Sequence, residues 1–278
     1  MTFLNLLNEY WYFLLLIILA ASATGFFAGL FGIGGGLISV PFLFFIFGTL
    51  NISDDDYLMH LTVGTAFSIT ILTSASSVLM HKKNNLVDFE IVKSFGKFVI
   101  LGVVLGAFFA SFMNTKSLVL FFTIVVFFFG AYLLLLQESK KRIKSKAKFY
   151  QRMILGLISG LISAPIGITG AMINVPILRY FGYPIGKCIG TSAAIGFLIS
   201  LFGATGFLIS GFFLGIDLPF SIGFINIPAF ILFVPITTYM ARVGANTVNK
   251  MNKLKIQRMF GIFLYVIGII FLFRYLNI

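Results

Sequence analysis

The sequence predicts an all-α fold, a polytopic transmembrane helical bundle. It is made of two inverted repeats, each of about five helical segments and each beginning with a broken or re-entrant helix pair. Three observations predict it. First, 59% of the residues are hydrophobic and 10% are charged, and the mean hydropathy is +1.07; soluble domains are roughly half apolar and a quarter charged. Second, the basic residues are gathered into a few segments between apolar runs. Third, a glycine-rich break in the first apolar run recurs, with the same Val-Pro ending, in the middle of the chain.

Apolar runs of about the length that crosses a bilayer lie near residues 11–31, 61–80, 98–112, 118–136, 189–214, 220–241 and 260–273. The first has no basic stretch ahead of it, and Glu9 is the sole charged residue before it, so it reads as structure rather than as a signal peptide. Charge then sets the topology. Of the twenty Lys and Arg residues, four fall in 81–97, seven in 138–153 and five in 242–258, and the positive-inside rule places these three segments in the cytoplasm. The acidic turn Asp54 to Asp56, the turn around Asp217 and the stretch 112–117, with Lys116 alone, are expected outside, as are both termini. Spread over loops in this way, the formal charge of +12 serves orientation and contact with membrane lipids. It excludes a nucleic-acid partner, for which no basic and aromatic platform is present.

This topology leaves segment 153–181 starting and ending in the cytoplasm, with Arg179 and Lys187 at its far end. It must enter the membrane and return, and Ser163 to Ala171, with Pro165, Gly167 and Gly170, is the expected turn. The two arms, about ten to fourteen residues each, measure roughly 15 to 21 Å, too short for a hydrocarbon core of about 30 Å.

The same design occurs earlier. Gly29-Leu-Phe-Gly-Ile-Gly-Gly-Gly-Leu-Ile-Ser-Val-Pro41 matches Gly160-Leu-Ile-Ser-Ala-Pro-Ile-Gly-Ile-Thr-Gly-Ala-Met-Ile-Asn-Val-Pro176, apart from four extra residues in the second copy. Val63-Gly64-Thr65-Ala66 then corresponds to Ile189-Gly190-Thr191-Ser192, and Gly106-Ala107 to Gly244-Ala245. The chain divides into a first transmembrane repeat, 1–137, a basic cytoplasmic linker, 138–149, and a second transmembrane repeat, 150–278. The first repeat starts outside and the second inside, the inverted arrangement of secondary transporters. The GxxxG spacings at Gly25/Gly29, Gly102/Gly106, Gly156/Gly160 and Gly186/Gly190 suit close helix packing.

Irregular backbone at membrane depth survives only inside protein or beside a wet cavity, so paired breaks mark the expected substrate site. A helix that resumes after the break offers free N–H groups and a partial positive charge, and glycines let an oxyanion approach that backbone. The expected substrate-binding residues are Gly34, Gly35, Gly36, Thr169 and Gly170 for backbone donors, with hydroxyls from Thr65, Ser68, Thr191 and Ser192. The expected cargo is a small anion. An enzyme is not expected, because a nucleophile and base or a set of metal ligands is lacking. His60 and His81 sit at opposite ends of one helix, too far apart to share a metal, and both are expected at the interface. No cofactor is expected. Cys188 excludes an internal disulfide framework, and is expected either packed or beside the permeation path. A transporter of another small anion or of a metal ion, and a membrane assembly scaffold, are the alternatives, and the oligomeric state stays open.

At Gly29-x-x-Gly-x-Gly-Gly-Gly-x-x-x-Val-Pro41 and Gly167-Ile-Thr-Gly-x-x-x-x-Val-Pro176, each followed by Gly-Thr (Gly64-Thr65 and Gly190-Thr191), the chain resembles the TauE/SafE family of sulfite and organosulfonate exporters. The resemblance covers nearly the whole chain. It implies a multi-pass transporter in the plasma (inner) membrane of a bacterium or archaeon, exporting sulfite or an organosulfonate such as sulfoacetate. The second copy has Thr169 where the first has glycine, and its insertion holds Ala164-Pro165.

Overall fold

A computed structural model describes residues 3–31, 34–135, 148–247 and 253–277. The helices are α1 (Phe3–Phe31), α2 (Gly36–Thr49), α3 (Leu58–Lys83), α4 (Phe89–Ala110), α5 (Thr115–Leu135), α6 (Phe149–Ile166), α7 (Ala171–Tyr180), α8 (Ile185–Phe213), α9 (Ile227–Thr247) and α10 (Lys253–Asn277). Among the described residues seven helices are long and apolar enough to cross a membrane: α3, α4, α5, α6, α8, α9 and the Arg258–Leu276 part of α10. Leu15–Leu30 of α1 and Gly36–Thr49 of α2 are shorter apolar helices. Helix is the form that closes backbone hydrogen bonds within one segment, which hydrocarbon demands. This is a multi-pass, all-α membrane protein.

The packing pairs repeat across the chain. Helix α1 runs along α9 as α6 runs along α4; α9 leans on α3 as α4 leans on α8; α2 lies on α3 as α7 lies on α8. The remaining large contacts join α3 to α8 and α5 to α10. Small residues make the tightest of these. A Cβ on Gly156 would stand 2.8 Å from the Phe98 Cβ of α4, and one on Gly29 would overlap the Ala241 carbonyl of α9. Close backbone approach of this kind is what holds helices together where no hydrophobic driving force operates.

Two details depart from expectation. Helix α6 begins at Phe149, ahead of the apolar residues, because Gln151 Oε1 accepts from the Lys148 N–H at 3.0 Å and starts the helix early. Its 18 residues, about 27 Å, fall at the short end of the lengths that span a bilayer, whereas the ten-residue α7 does not reach them. The apolar run expected as helix from 220 opens instead as a hairpin, Ser221 paired with Asn226 and Ile222 with Ile225, and α9 starts at Ile227. Of the expected linker 138–149, residues 138–147 lie outside the described residues.

Candidate functional site

Both breaks end in the same local structure. Gly35 and Gly170 are the N-caps of α2 and α7, with φ of +94° and +70°. A side chain at such angles costs roughly 1–2 kcal/mol, which is why both positions are glycine. Each break then delivers a helix whose first N–H groups have no acceptor within that helix.

The two breaks touch. A Cβ on Gly34 would overlap the Thr169 hydroxyl, and one on Gly36 would overlap the Gly167 carbonyl. Gly34 and Thr169 occupy the same place in the two motif copies, each seven residues before Pro41 or Pro176. A second equivalent pair also meets. Ser74 and Ser200, each nine residues after the threonine of its Gly-Thr, place their hydroxyls 3.4 Å apart where α3 crosses α8. The Thr169 carbonyl lies against Gly196 of α8, where a Cβ would stand 2.8 Å away. Five of the expected residues, Gly34, Gly35, Gly36, Thr169 and Gly170, therefore gather at one buried locus.

Three of the four hydroxyls expected beside them make hydrogen bonds within the protein. Thr65 Oγ1 accepts the Asn226 N–H at 2.9 Å, and Thr191 Oγ1 accepts the Asp88 N–H at 2.9 Å. Asn226 and Asp88 in turn hold the starts of α9 and α4, the first accepting from the Ala229 N–H and the second from the N–H groups of Glu90 and Ile91. The glycine ahead of each threonine admits the same strand of backbone: a Cβ on Gly64 would overlap the Phe224 carbonyl, and one on Gly190 the Leu86 carbonyl. Each Gly-Thr thus tethers a helix start in the opposite half. Ser68 Oγ donates to the Thr65 carbonyl of its own helix at 2.7 Å. Ser192 Oγ is buried and finds no partner.

His60 and His81, near opposite ends of α3, are both buried in protein. His60 Nε2 pairs with the Ala110 carbonyl at 3.0 Å and His81 Nε2 with the Gly29 carbonyl at 3.3 Å. Each imidazole satisfies a carbonyl of a neighbouring helix, which rewards burial. Among the described residues no three His, Cys, Asp or Glu side chains stand close enough to hold a metal ion.

Cys188 is fully buried, and its thiol donates to the Tyr183 carbonyl at 3.4 Å. Of the two expectations, packing describes it. A water-soluble maleimide is expected to label Cys188 in the folded protein at least about tenfold more slowly than in detergent-denatured protein, since reaction requires an accessible thiolate. Equal rates, followed by mass spectrometry, would place the thiol on an open path.

Three features were not anticipated. Asn174 and Ser163 lie fully buried beside Gly170, with Asn174 Nδ2 and Ser163 Oγ unpartnered. An asparagine within the apolar arm 171–178 was the available signal. Thr24 Oγ1, on α1 opposite Gly35, is also buried and unpartnered. Elsewhere, a cavity of about 440 Å³ between α3 and α9 is lined by Leu79, Pro235, Thr238 and Arg242 among others. There the Arg242 Nε donates to Ser76 Oγ at 3.0 Å.

The family model described as Sulfite exporter TauE/SafE matches residues 17–271. A "Probable membrane transporter protein" of Haemophilus influenzae is 29% identical over 258 residues, covering 92% of this chain and 97% of the relative. A protein of the same description from Methanocaldococcus jannaschii is 26% identical over 269 residues, 95% of this chain and 97% of the relative. A third, from Bacillus subtilis, is 26% identical over 218 residues, 72% of this chain and 79% of the relative. No solved structure matches the chain.

Proposed function

The chain belongs to the TauE/SafE sulfite exporter family, a family of membrane transporters and not of enzymes, and on that premise we propose that it exports a small sulfur-containing anion, sulfite or an organosulfonate such as sulfoacetate. The membrane is the plasma membrane of a bacterium or archaeon, with both termini outside. The halves 1–137 and 150–278 act as inverted repeats joined by the basic cytoplasmic segment 138–149.

One observation carries this reading. Gly34 and Thr169, equivalent residues of the two breaks, lie against each other, and Ser74 and Ser200 do the same. Equivalent residues can touch only near the axis that relates two repeats. With α2 and α7 starting beside that axis, two helix N-termini point their free N–H groups and partial positive charge at one buried place. Gly34, Gly35, Gly36, Thr169 and Gly170 supply the backbone of the cargo site, and Ser192 adds a hydroxyl from α8. Thr65 and Thr191 serve it indirectly, by fixing α9 and α4.

A site made of neutral donors takes an anion without a compensating cation, and with the cell interior negative each exported negative charge gains about 2.3 kcal/mol per 100 mV. No Asp or Glu occurs in the middle of an expected spanning segment to relay protons. Export is therefore driven by the cargo gradient and the membrane potential. The test is flux in liposomes holding the purified protein, against sulfite, thiosulfate, sulfate, sulfoacetate and taurine. Uptake of sulfite or sulfoacetate that follows an imposed potential and needs no proton gradient is expected. Flux of none of the five, or flux only under a proton gradient, would overturn the cargo or the driving force respectively.

A further inference from the structure

We infer that Ser163 Oγ and Asn174 Nδ2, together with the first N–H groups of α7, form an oxyanion subsite that makes the cargo site one-sided. The inference rests on the anion-transporter reading above and assigns the residues that grip the anion's oxygens.

Both side chains belong to the second half and converge on Gly170. Measured from the place a Gly170 Cβ would take, Asn174 Nδ2 is 2.7 Å away and Ser163 Oγ 3.5 Å. Both residues are 0% exposed, and neither atom has a hydrogen-bond partner. A buried donor without an acceptor is costly, and a native fold keeps such groups where something else supplies the acceptor. Here two of them flank the start of a helix beside the apolar Ile199 side chain, and the polar groups at that point, an amide, a hydroxyl and the backbone N–H groups, can all donate. The complementary ligand is acceptor-rich and negatively charged, the chemistry of an oxyanion.

The amide is held in this orientation. Ser159 Oγ donates to Asn174 Oδ1 at 2.7 Å from one turn before Ser163 on α6, leaving the NH2 free. Ser159 is therefore a positioning residue. Among the described residues the first half offers one buried, unpartnered hydroxyl beside Gly35, that of Thr24, and no amide. Asn174 corresponds to Ser39, whose hydroxyl is turned back on the Gly36 carbonyl at 3.3 Å, and Ser159 corresponds to Ala28. The oxygens of the cargo bind on the α7 side of the axis, and the rest of the molecule faces α1 and α2.

The experiment uses the full chain in detergent or nanodiscs, with sulfite as probe and thermal shift plus calorimetric titration as readouts. Asn174→Asp replaces a donor by an acceptor-only carboxylate and is expected to weaken sulfite binding by at least about tenfold, the loss of one hydrogen bond to a charged group. Ser163→Ala is expected to weaken it by several fold while melting no lower than wild type without sulfite, since it deletes a hydroxyl that has no partner. Ser159→Ala is expected to weaken binding less than Asn174→Asp, and Ser159→Thr to restore it. Variants that bind sulfite like a wild type that itself responds would overturn the subsite and leave the transporter reading standing. A Ser163→Ala protein that melts lower without sulfite would also overturn it, by revealing a structural partner. A wild type that responds to no anion overturns both readings together.

Discussion

Gly36→Ala is expected to slow anion flux in proteoliposomes about ten- to a hundredfold. The single methyl it adds would overlap the Gly167 carbonyl, so the first turn of α2 must move away from the second break. Backbone cannot yield there cheaply, because Gly167 is the αL C-cap of α6, at φ +69°, and its N–H is bonded back to the Ala164 carbonyl. Forcing extra volume into such a contact costs about 1–3 kcal/mol, and it falls where the two halves meet. Because Gly36 has helical backbone, the effect is one of contact and not of dihedral strain. Gly48→Ala, on the same helix, is the control: its methyl would meet Leu58 Cδ2 at an ordinary 3.5 Å. It is expected to keep flux and to gain slightly in stability from the helix propensity of alanine. Unchanged flux in Gly36→Ala would show that the junction of the breaks is not where cargo passes.

Thr65→Ala and Thr191→Ala are expected to lower stability by about 1–3 kcal/mol each, the cost of stranding a buried backbone N–H. The donors stranded are those of Asn226 and Asp88, each at the start of a helix that packs on the opposite half. Because the Asp88 bond is only part-buried, the Thr191→Ala loss should fall toward the lower end of that range, and serine at either position should restore most of the lost stability. Sulfite affinity of the folded fraction is expected to hold. Thermal melts of purified protein with and without sulfite separate the possibilities. A variant that melts normally but no longer responds to sulfite would mean that the hydroxyl faces cargo instead of holding a helix.

These predictions depend unequally on the sequence and the fold. The sequence by itself determined that the chain crosses a membrane, that it contains two copies of one pattern, and that each copy has a break ending in Gly and resuming as helix. Those are local properties: hydropathy over a run, positive-φ glycines and the Val-Pro that follows. It also placed Gly34, Gly35, Gly36, Thr169 and Gly170 at the breaks, where the structure finds them together.

Which neighbour each residue meets was decided only by the tertiary structure. Helices that are apolar on every side carry no amphipathic stripe to say which face turns inward. Their contacts are chosen by small residues and a few hydroxyls whose partners lie far along the chain. Thr65 and Thr191 were expected as hydroxyls for the cargo, and only the fold sets the Asn226 and Asp88 N–H groups against them, 161 and 103 residues away. That His60 and His81 would meet the carbonyls of Ala110 and Gly29 was equally invisible before folding. Asn174 passed as one polar residue in an apolar arm. What gives it a role is the Ser159 hydroxyl that orients its amide and the Gly170 turn it faces, a juxtaposition that exists only once α6 and α7 have folded back on each other.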